Sequence, residues 1–168
     1  MKFISSFLIL FIAISNLAVA SSLEGRVTVI DGDTLEMHGK QIRLHGIDAP
    51  ESGQTCRSQS GKTYRCGQLA AKQMAKYIKR KTIRCNVRDT DRYGRLVAVC
   101  FADGQDINKR IVSDGFALAY RRYSRDYVAA ERDAERDKVG MWQGAFIKPW
   151  DWRRAIGCLK SKSKRASA

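Results

Sequence analysis

Histidine is almost missing from this chain of 168 residues, which has only His38 and His45. Neither stands at ligand spacing from a cysteine pair, and no C-x-x-C occurs, so zinc hydrolysis and histidine-based nuclease chemistry are both disfavoured. His38 precedes Gly39 in a turn and His45 falls in a strand pattern, positions that read as structural or solvated. Long apolar runs are missing too. The longest, Phe7 to Ile14, is too short to span a bilayer and is broken by Ser15-Asn16. Acids are the minority charge, 17 Asp and Glu against 31 Lys and Arg, for a formal net charge of +14. Such an excess is the electrostatic footprint of a nucleic-acid partner, although basic exported proteins also bind anionic membranes or cell walls. No amphipathic surface helix beyond what a core would use favours the membrane alternative. Internal repeats and interdomain linkers are absent from the sequence as well.

The first twenty residues have the layout of an export signal. Lys2 supplies the positive start, Phe7 to Ile14 the apolar core and Ala18-Val19-Ala20 the small-residue cleavage site, which predicts a mature chain from Ser21. The expected location is therefore secreted or periplasmic, with no stable membrane association after cleavage. The mature chain is long enough for one domain with its own core.

Export gives the five cysteines meaning, because an oxidising compartment permits disulfides. Cys85 and Cys100 are equidistant from the centre of Asp91-Arg92-Tyr93-Gly94, so a symmetric antiparallel hairpin would set them face to face. A bridge is expected there, two unlinked core thiols being the alternative. Cys56 and Cys66 frame a polar loop with little core of its own, where a second bridge would limit the chain's freedom. Cys158 is left outside both pairs.

Alternation predicts strands over Gly25 to Ile30, Thr34 to Met37 and Gln41 to Ile47, a three-strand meander. Leu69, Ala70, Gln73, Met74, Tyr77 and Ile78 recur at helical spacing, and a hairpin is expected from Thr82 to Val87 and Leu96 to Phe101. Asp106 is placed to cap a short helix through Val112. Arg125 to Lys138 reads as a charged helix stopped by Gly140, with Glu131 among the residues of a solvated face. Strands first and helices later suit an α+β fold, a five-stranded closed barrel of OB type with three helices. The tail from Lys160 to Ala168, rich in Lys, Ser and Arg, has the composition of a disordered segment.

In this basic chain the acids gather. Asp31-Gly32-Asp33-Thr34 and Ile47-Asp48-Ala49-Pro50-Glu51 lie on either side of Arg43. Asp33 opens the second strand and Asp48 comes after the third, so the meander can bring two oxygen ligands together for a hard divalent ion. Taken alone, Asp-Gly-Asp is equally a turn. Glu51, restrained by Pro50, is a candidate general base, and Arg43 and Arg95 are planar forks able to grip phosphate oxygens. A cation and two arginines would offset the negative charge of an in-line attack on phosphorus.

Ile30-Asp31-Gly32-Asp33-Thr34, Ile42-Arg43-Leu44, Ile47-Asp48-Ala49-Pro50-Glu51, Thr90-Asp91-Arg92-Tyr93-Gly94-Arg95, Gly115-Phe116-Ala117 and Glu131 to Trp142 occur in the order seen in the thermonuclease, or staphylococcal nuclease, family, which the chain resembles from Leu23 to Trp142. The resemblance implies an OB-fold barrel with three helices and a calcium-dependent endonuclease that degrades DNA and RNA to 3'-phosphate ends. It implies catalytic roles for Arg43, Glu51 and Arg95, calcium-ligand roles for Asp33 and Asp48, and a backbone-carbonyl ligand from Ala49, where the best-known member has threonine. Tyr123 and Arg92 become the candidate substrate contacts. On this reading residues 23–145 form the nuclease-like domain of a monomer and residues 146–168 a C-terminal extension whose Trp150 and Trp152 pack against the barrel. A non-catalytic nucleic-acid-binding module on the same barrel would have no use for Glu51 beside Asp33, Asp48 and two arginines.

Overall fold

The computed structural model describes residues 21–166 of the chain, so the export signal expected over residues 1–20 lies outside the described residues. The chain opens with β1 (Ser22–Gly25), β2 (Thr28–Val29), β3 (Thr34–Met37), β4 (Lys40–Leu44) and β5 (Ile47–Asp48). A small ribbon, β6 (Cys56–Arg57) and β7 (Thr63–Tyr64), precedes helix α1 (Cys66–Ile78) and the long hairpin β8 (Ile83–Thr90) and β9 (Leu96–Ala102). Then come β10 (Gln105–Asp106), α2 (Ile107–Ser113), β11 (Leu118–Ala119), α3 (Val128–Arg136), a short 3-10 helix at Gly140–Gln143 and α4 (Pro149–Ala166).

The main sheet runs β1-β8-β9-β4-β3-β2, with β10 beside β9. Every pairing is antiparallel except β4 with β9. Its two edges, β1 and β2, are separated by Arg26 and Val27 alone, so one bent strand supplies both edges and the sheet curls back on itself. The expected OB-like fold of α+β class is thus present as a curled half-barrel, with seven strands in the main sheet where five were expected, because the first strand is in two pieces and β10 adds to β9. Alternation explains the core: Leu35 and Met37 of β3, Ile42 and Leu44 of β4, Ile83 and Cys85 of β8 and Ala98 and Cys100 of β9 are all buried, while Glu36, Arg43 and Arg84 between them are more exposed and only Val99 is covered as well. Helix α1 closes one end with Ala70, Met74 and Tyr77, while Lys72, Lys76 and Lys79 stay in solvent.

Both cysteine pairs form. Cys85 and Cys100 are register partners across β8 and β9, with their Cα atoms 4.0 Å apart. Cys56 and Cys66 join across the polar loop at 5.6 Å. Asp106 caps α2 by accepting the Lys109 backbone N–H at 2.9 Å. From the same helix, buried Asn108 donates to the carbonyls of His45 and Ala98 and accepts from the Cys100 N–H, locking the end of β4 against β9.

Two expectations need correction. Glu131 is not on a solvated face but buried, accepting the Ala119 N–H at 3.1 Å and pairing with Arg121 at 2.5 Å. Burial raises its carboxyl pKa, with Arg121 and the Ala119 N–H opposing the rise. The tail from Lys160, expected to be disordered, is helical through Ala166 as the end of α4. Apart from Gly157 the segment after Pro149 is rich in helix formers, so four α-helices stand among the described residues where three were expected.

Candidate active site

Asp-Gly-Asp is a turn, and the turn also carries Asp33 toward the other acids. The Asp31 carboxylate accepts the Asp33 N–H at 3.0 Å, and the Ile30 and Asp31 N–H groups close onto the Thr34 carbonyl, which makes a turn. That turn aims Asp33 inward, to 2% exposure. Its Oδ2 accepts the Ala49 N–H at 2.6 Å, and its Oδ1 accepts the Thr34 hydroxyl at 3.2 Å and the Arg43 guanidinium. Gly32 is required for this fit, since a Cβ there would lie 2.7 Å from the Ala49 Cβ and 2.9 Å from the Ala70 Cβ.

Arg43 joins the two aspartates. Its Nη1 holds Asp33 and its Nη2 donates to Asp48 Oδ1 at 2.6 Å. Burial pushes the Asp33 carboxyl up to about 8; Arg43 pulls it down, while Asp31 and Asp48 add to the rise. Burial also works against the charge on Arg43, but Asp33 and Asp48 outweigh it and hold its pKa above the ordinary arginine value. For Asp33, burial outweighs the guanidinium beside it.

Glu51 is set by its backbone. The Gln54 side-chain carbonyl accepts the Glu51 N–H at 3.3 Å, and the Gln54 N–H donates to the Glu51 carbonyl at 2.7 Å. The N-terminus of α1 presses on the same carbonyl, because a Cβ on Gly67 would fall 1.7 Å from the Glu51 oxygen. Gly67→Ala is therefore expected to force the Pro50–Glu51 segment away from α1, destabilising the protein by about 1–3 kcal/mol. Thermal melting checks it, and an unchanged melting temperature would show that the loop yields freely.

The side chains of Asp48 and Glu51 are bridged by a residue that sequence reasoning missed. Arg153, in α4, donates to Asp48 Oδ1 at 3.1 Å, Asp48 Oδ2 at 2.7 Å and Glu51 Oε1 at 2.7 Å. Burial opposes its charge, yet the hydrogen bonds to Asp48 and Glu51 raise its pKa. The only signal for it was the run Trp150-Asp151-Trp152-Arg153, a dense aromatic and charged patch beyond the part of the chain that carries the motifs.

Arg95 reaches none of these carboxylates directly. Its Nε and Nη2 hold Asp91 at 2.8 and 2.7 Å in the hairpin turn. Continuing the parallel register Arg43↔Val97 and Ile42↔Leu96 back one step sets Arg95 beside Gln41, on the outer sheet face that also carries Arg43. A hollow of about 360 Å³ there is lined by Lys40, Gln41, Tyr93 and Arg95. Arg92 and Arg95 both lie over the exposed Tyr93 ring, at 5.0 and 5.6 Å. Tyr123, 67% exposed, meets Tyr120 edge-on at 4.9 Å. Tyr120 in turn stacks on Trp150 at 5.4 Å, and these two rings with Arg121, Arg122, Arg153 and Arg154 line a groove of about 560 Å³. Trp142 packs against Phe146 instead.

Among the described residues no group of three or more His, Cys, Asp or Glu side chains converges as a ready metal cluster. Asp33 and Asp48 nevertheless fit a hard divalent ion: the donors are all oxygen, they flank one guanidinium, and Ala49 brings its carbonyl directly after Asp48. Arginine supplies the positive charge that such an ion would bring.

Known proteins resemble this chain in sequence. Residues 41–144 match the family described as staphylococcal nuclease homologue. The succinoglycan biosynthesis protein ExoI of Rhizobium meliloti (strain 1021) is 35% identical over 127 residues, covering 74% of this chain and 66% of that protein. A micrococcal nuclease of Shigella flexneri is 33% identical over 147 residues, or 77% and 79% of the two chains. An uncharacterized endonuclease of Haemophilus influenzae (strain ATCC 51907 / DSM 11121 / KW20 / Rd) is 32% identical over 159 residues, or 90% and 84%. Arg43, Asp48, Ala49, Glu51 and Arg95 lie inside the family match, whereas Asp33 and Arg153 lie outside it.

Proposed function

Because the chain belongs to the staphylococcal nuclease family, we propose that it is an exported, calcium-dependent endonuclease that cleaves DNA and RNA and leaves 3'-phosphate ends. The observation that carries this reading is the gathering of Asp33, Asp48 and Glu51 around Arg43 and Arg153 in a chain of net charge +14. A module that only bound nucleic acid would gain nothing from desolvating two carboxylates and would lose phosphate affinity through their charge.

Calcium held by Asp33, Asp48 and the Ala49 carbonyl would supply positive charge against the scissile phosphate. Glu51, partly open to solvent, is the group that can take a proton from the attacking water. The water oxygen bonds to phosphorus, its proton passes to Glu51 Oε, and the bond to the 5'-oxygen breaks, that oxygen taking a proton from solvent, so the phosphate stays on the 3' side. Arg43 spends two of its N–H groups on Asp33 and Asp48, and a guanidinium has five. Those remaining, with the fork of Arg95 fixed by Asp91, suit the extra negative charge that develops on the phosphoryl oxygens. Tyr123 and the Arg92–Tyr93 pair give bases and flanking phosphates further contacts.

Plasmid DNA and RNA incubated with the mature protein should be digested in calcium and left intact in excess chelator. The products should resist 3' extension until phosphatase treatment. Equal digestion with and without chelator would refute the calcium dependence, and extendable 3' ends would refute the product assignment.

A further inference from the structure

Arg153 reaches the site from outside the segment that matches the family. The root of α4 is firmly attached. Arg57 and Ala145 exchange backbone hydrogen bonds of 2.8 and 3.0 Å, and the buried Gln54 amide donates to the Ile147 carbonyl at 2.6 Å. Through its Oε1 the same amide holds the Glu51 N–H, so one side chain ties the loop of the candidate base to the start of α4. The Trp150 ring, stacked on Tyr120, adds a third attachment. This anchoring delivers the Arg153 fork to both oxygens of Asp48 and to Glu51.

Three carboxylates, Asp33, Asp48 and Glu51, face two guanidiniums here. A divalent cation on Asp33 and Asp48 would compete with Arg153 for the Asp48 oxygens and place two positive charges against a third in a site where water is scarce. Arg153 has somewhere to go. Its side chain is 38% exposed and borders the groove lined by Tyr120, Arg121, Arg122, Trp150 and Arg154, so its own torsions can withdraw it while α4 stays in place.

We infer that Arg153 is a resident counter-ion that divalent metal must displace from Asp48 and Glu51, so that α4 sets the site's metal affinity and occupies the candidate base until metal arrives. The inference rests on the reading of Asp33 and Asp48 as the cation ligands. Removing the guanidinium then strengthens metal binding rather than weakening it, the opposite of what a purely structural ion pair would do.

Calorimetric titration of calcium chloride into the mature protein, without nucleic acid, tests this. Arg153→Gln is expected to bind calcium about tenfold more tightly than the unaltered protein. Arg153→Lys, a point charge that cannot bridge both carboxylates, should fall between them. Arg154→Gln, one position along α4 and equal in charge change, should stay within about twofold of the unaltered protein. Circular dichroism in chelator verifies folding, and if Arg153→Gln does not fold the lysine variant decides alone. Unchanged or weaker calcium binding in the folded Arg153 variants, or an equal gain in Arg154→Gln, overturns the inference and leaves the calcium reading standing. Absence of calcium binding in every form overturns both.

Discussion

Glu51→Gln is expected to lower phosphodiester turnover by about 10² to 10⁴-fold while the protein stays folded. An amide has nearly the shape of the carboxylate but cannot accept the proton of the attacking water. Structurally little is lost, because the contacts that fix residue 51 are made by its backbone, through Gln54 on one side and the close approach of Gly67 on the other. The amide oxygen can still accept from Arg153, so the root of α4 remains joined to the loop. Steady-state rates on an oligonucleotide, paired with a thermal melt, check this. Near-normal turnover in a folded variant would remove Glu51 from the mechanism.

Arg43→Ala should damage both stability and chemistry. Its guanidinium is shared by two carboxylates, one 3% and one 0% exposed, and leaving buried charge without its partner costs about 3–5 kcal/mol. Turnover should fall by at least about 10²-fold, the loss typical when one donor to a developing oxyanion is removed. Arg43→Lys separates the two effects, since it keeps a positive charge but cannot hold Asp33 and Asp48 with one planar fork. Urea unfolding in chelator reads the stability, and single-turnover rates read the chemistry. If Arg43→Ala is as stable as the unaltered protein, the buried aspartates do not depend on this guanidinium.

The cysteines and strands are legible in the sequence because their rules are local. Placing Cys85 opposite Cys100 requires only a symmetric hairpin about Asp91 to Gly94, and alternation in β3 and β4 decides which residues face the core. Asp106 can be placed as a cap because a cap is a matter of three residues. Glu131 escapes such rules because every charge on α3 has the same helical context; its burial comes from the Ala119 N–H and from Arg121, neither of them on that helix. The end of α4 escapes a reading by composition, since a lysine- and serine-rich run carries no apolar stripe to mark a helix.

For the site, the chain by itself determined which chemical groups are available. Acids are gathered at Asp31 to Glu51 in a basic background, almost no histidine is present, and two arginines lie in motifs of one family. Those are properties of residue type and short spacing, which survive in one dimension. Tertiary structure decided how the groups are partnered: Arg43 as the bridge between Asp33 and Asp48, Arg95 held on Asp91, and Arg153 brought to Glu51 from 102 positions away. No periodicity records a contact of that separation. It arises only when the Gln54 amide and the Arg57–Ala145 pairing fasten the start of α4 beside the barrel, and the buried Asp48 carboxylate then makes a surface arginine a counter-ion of the site.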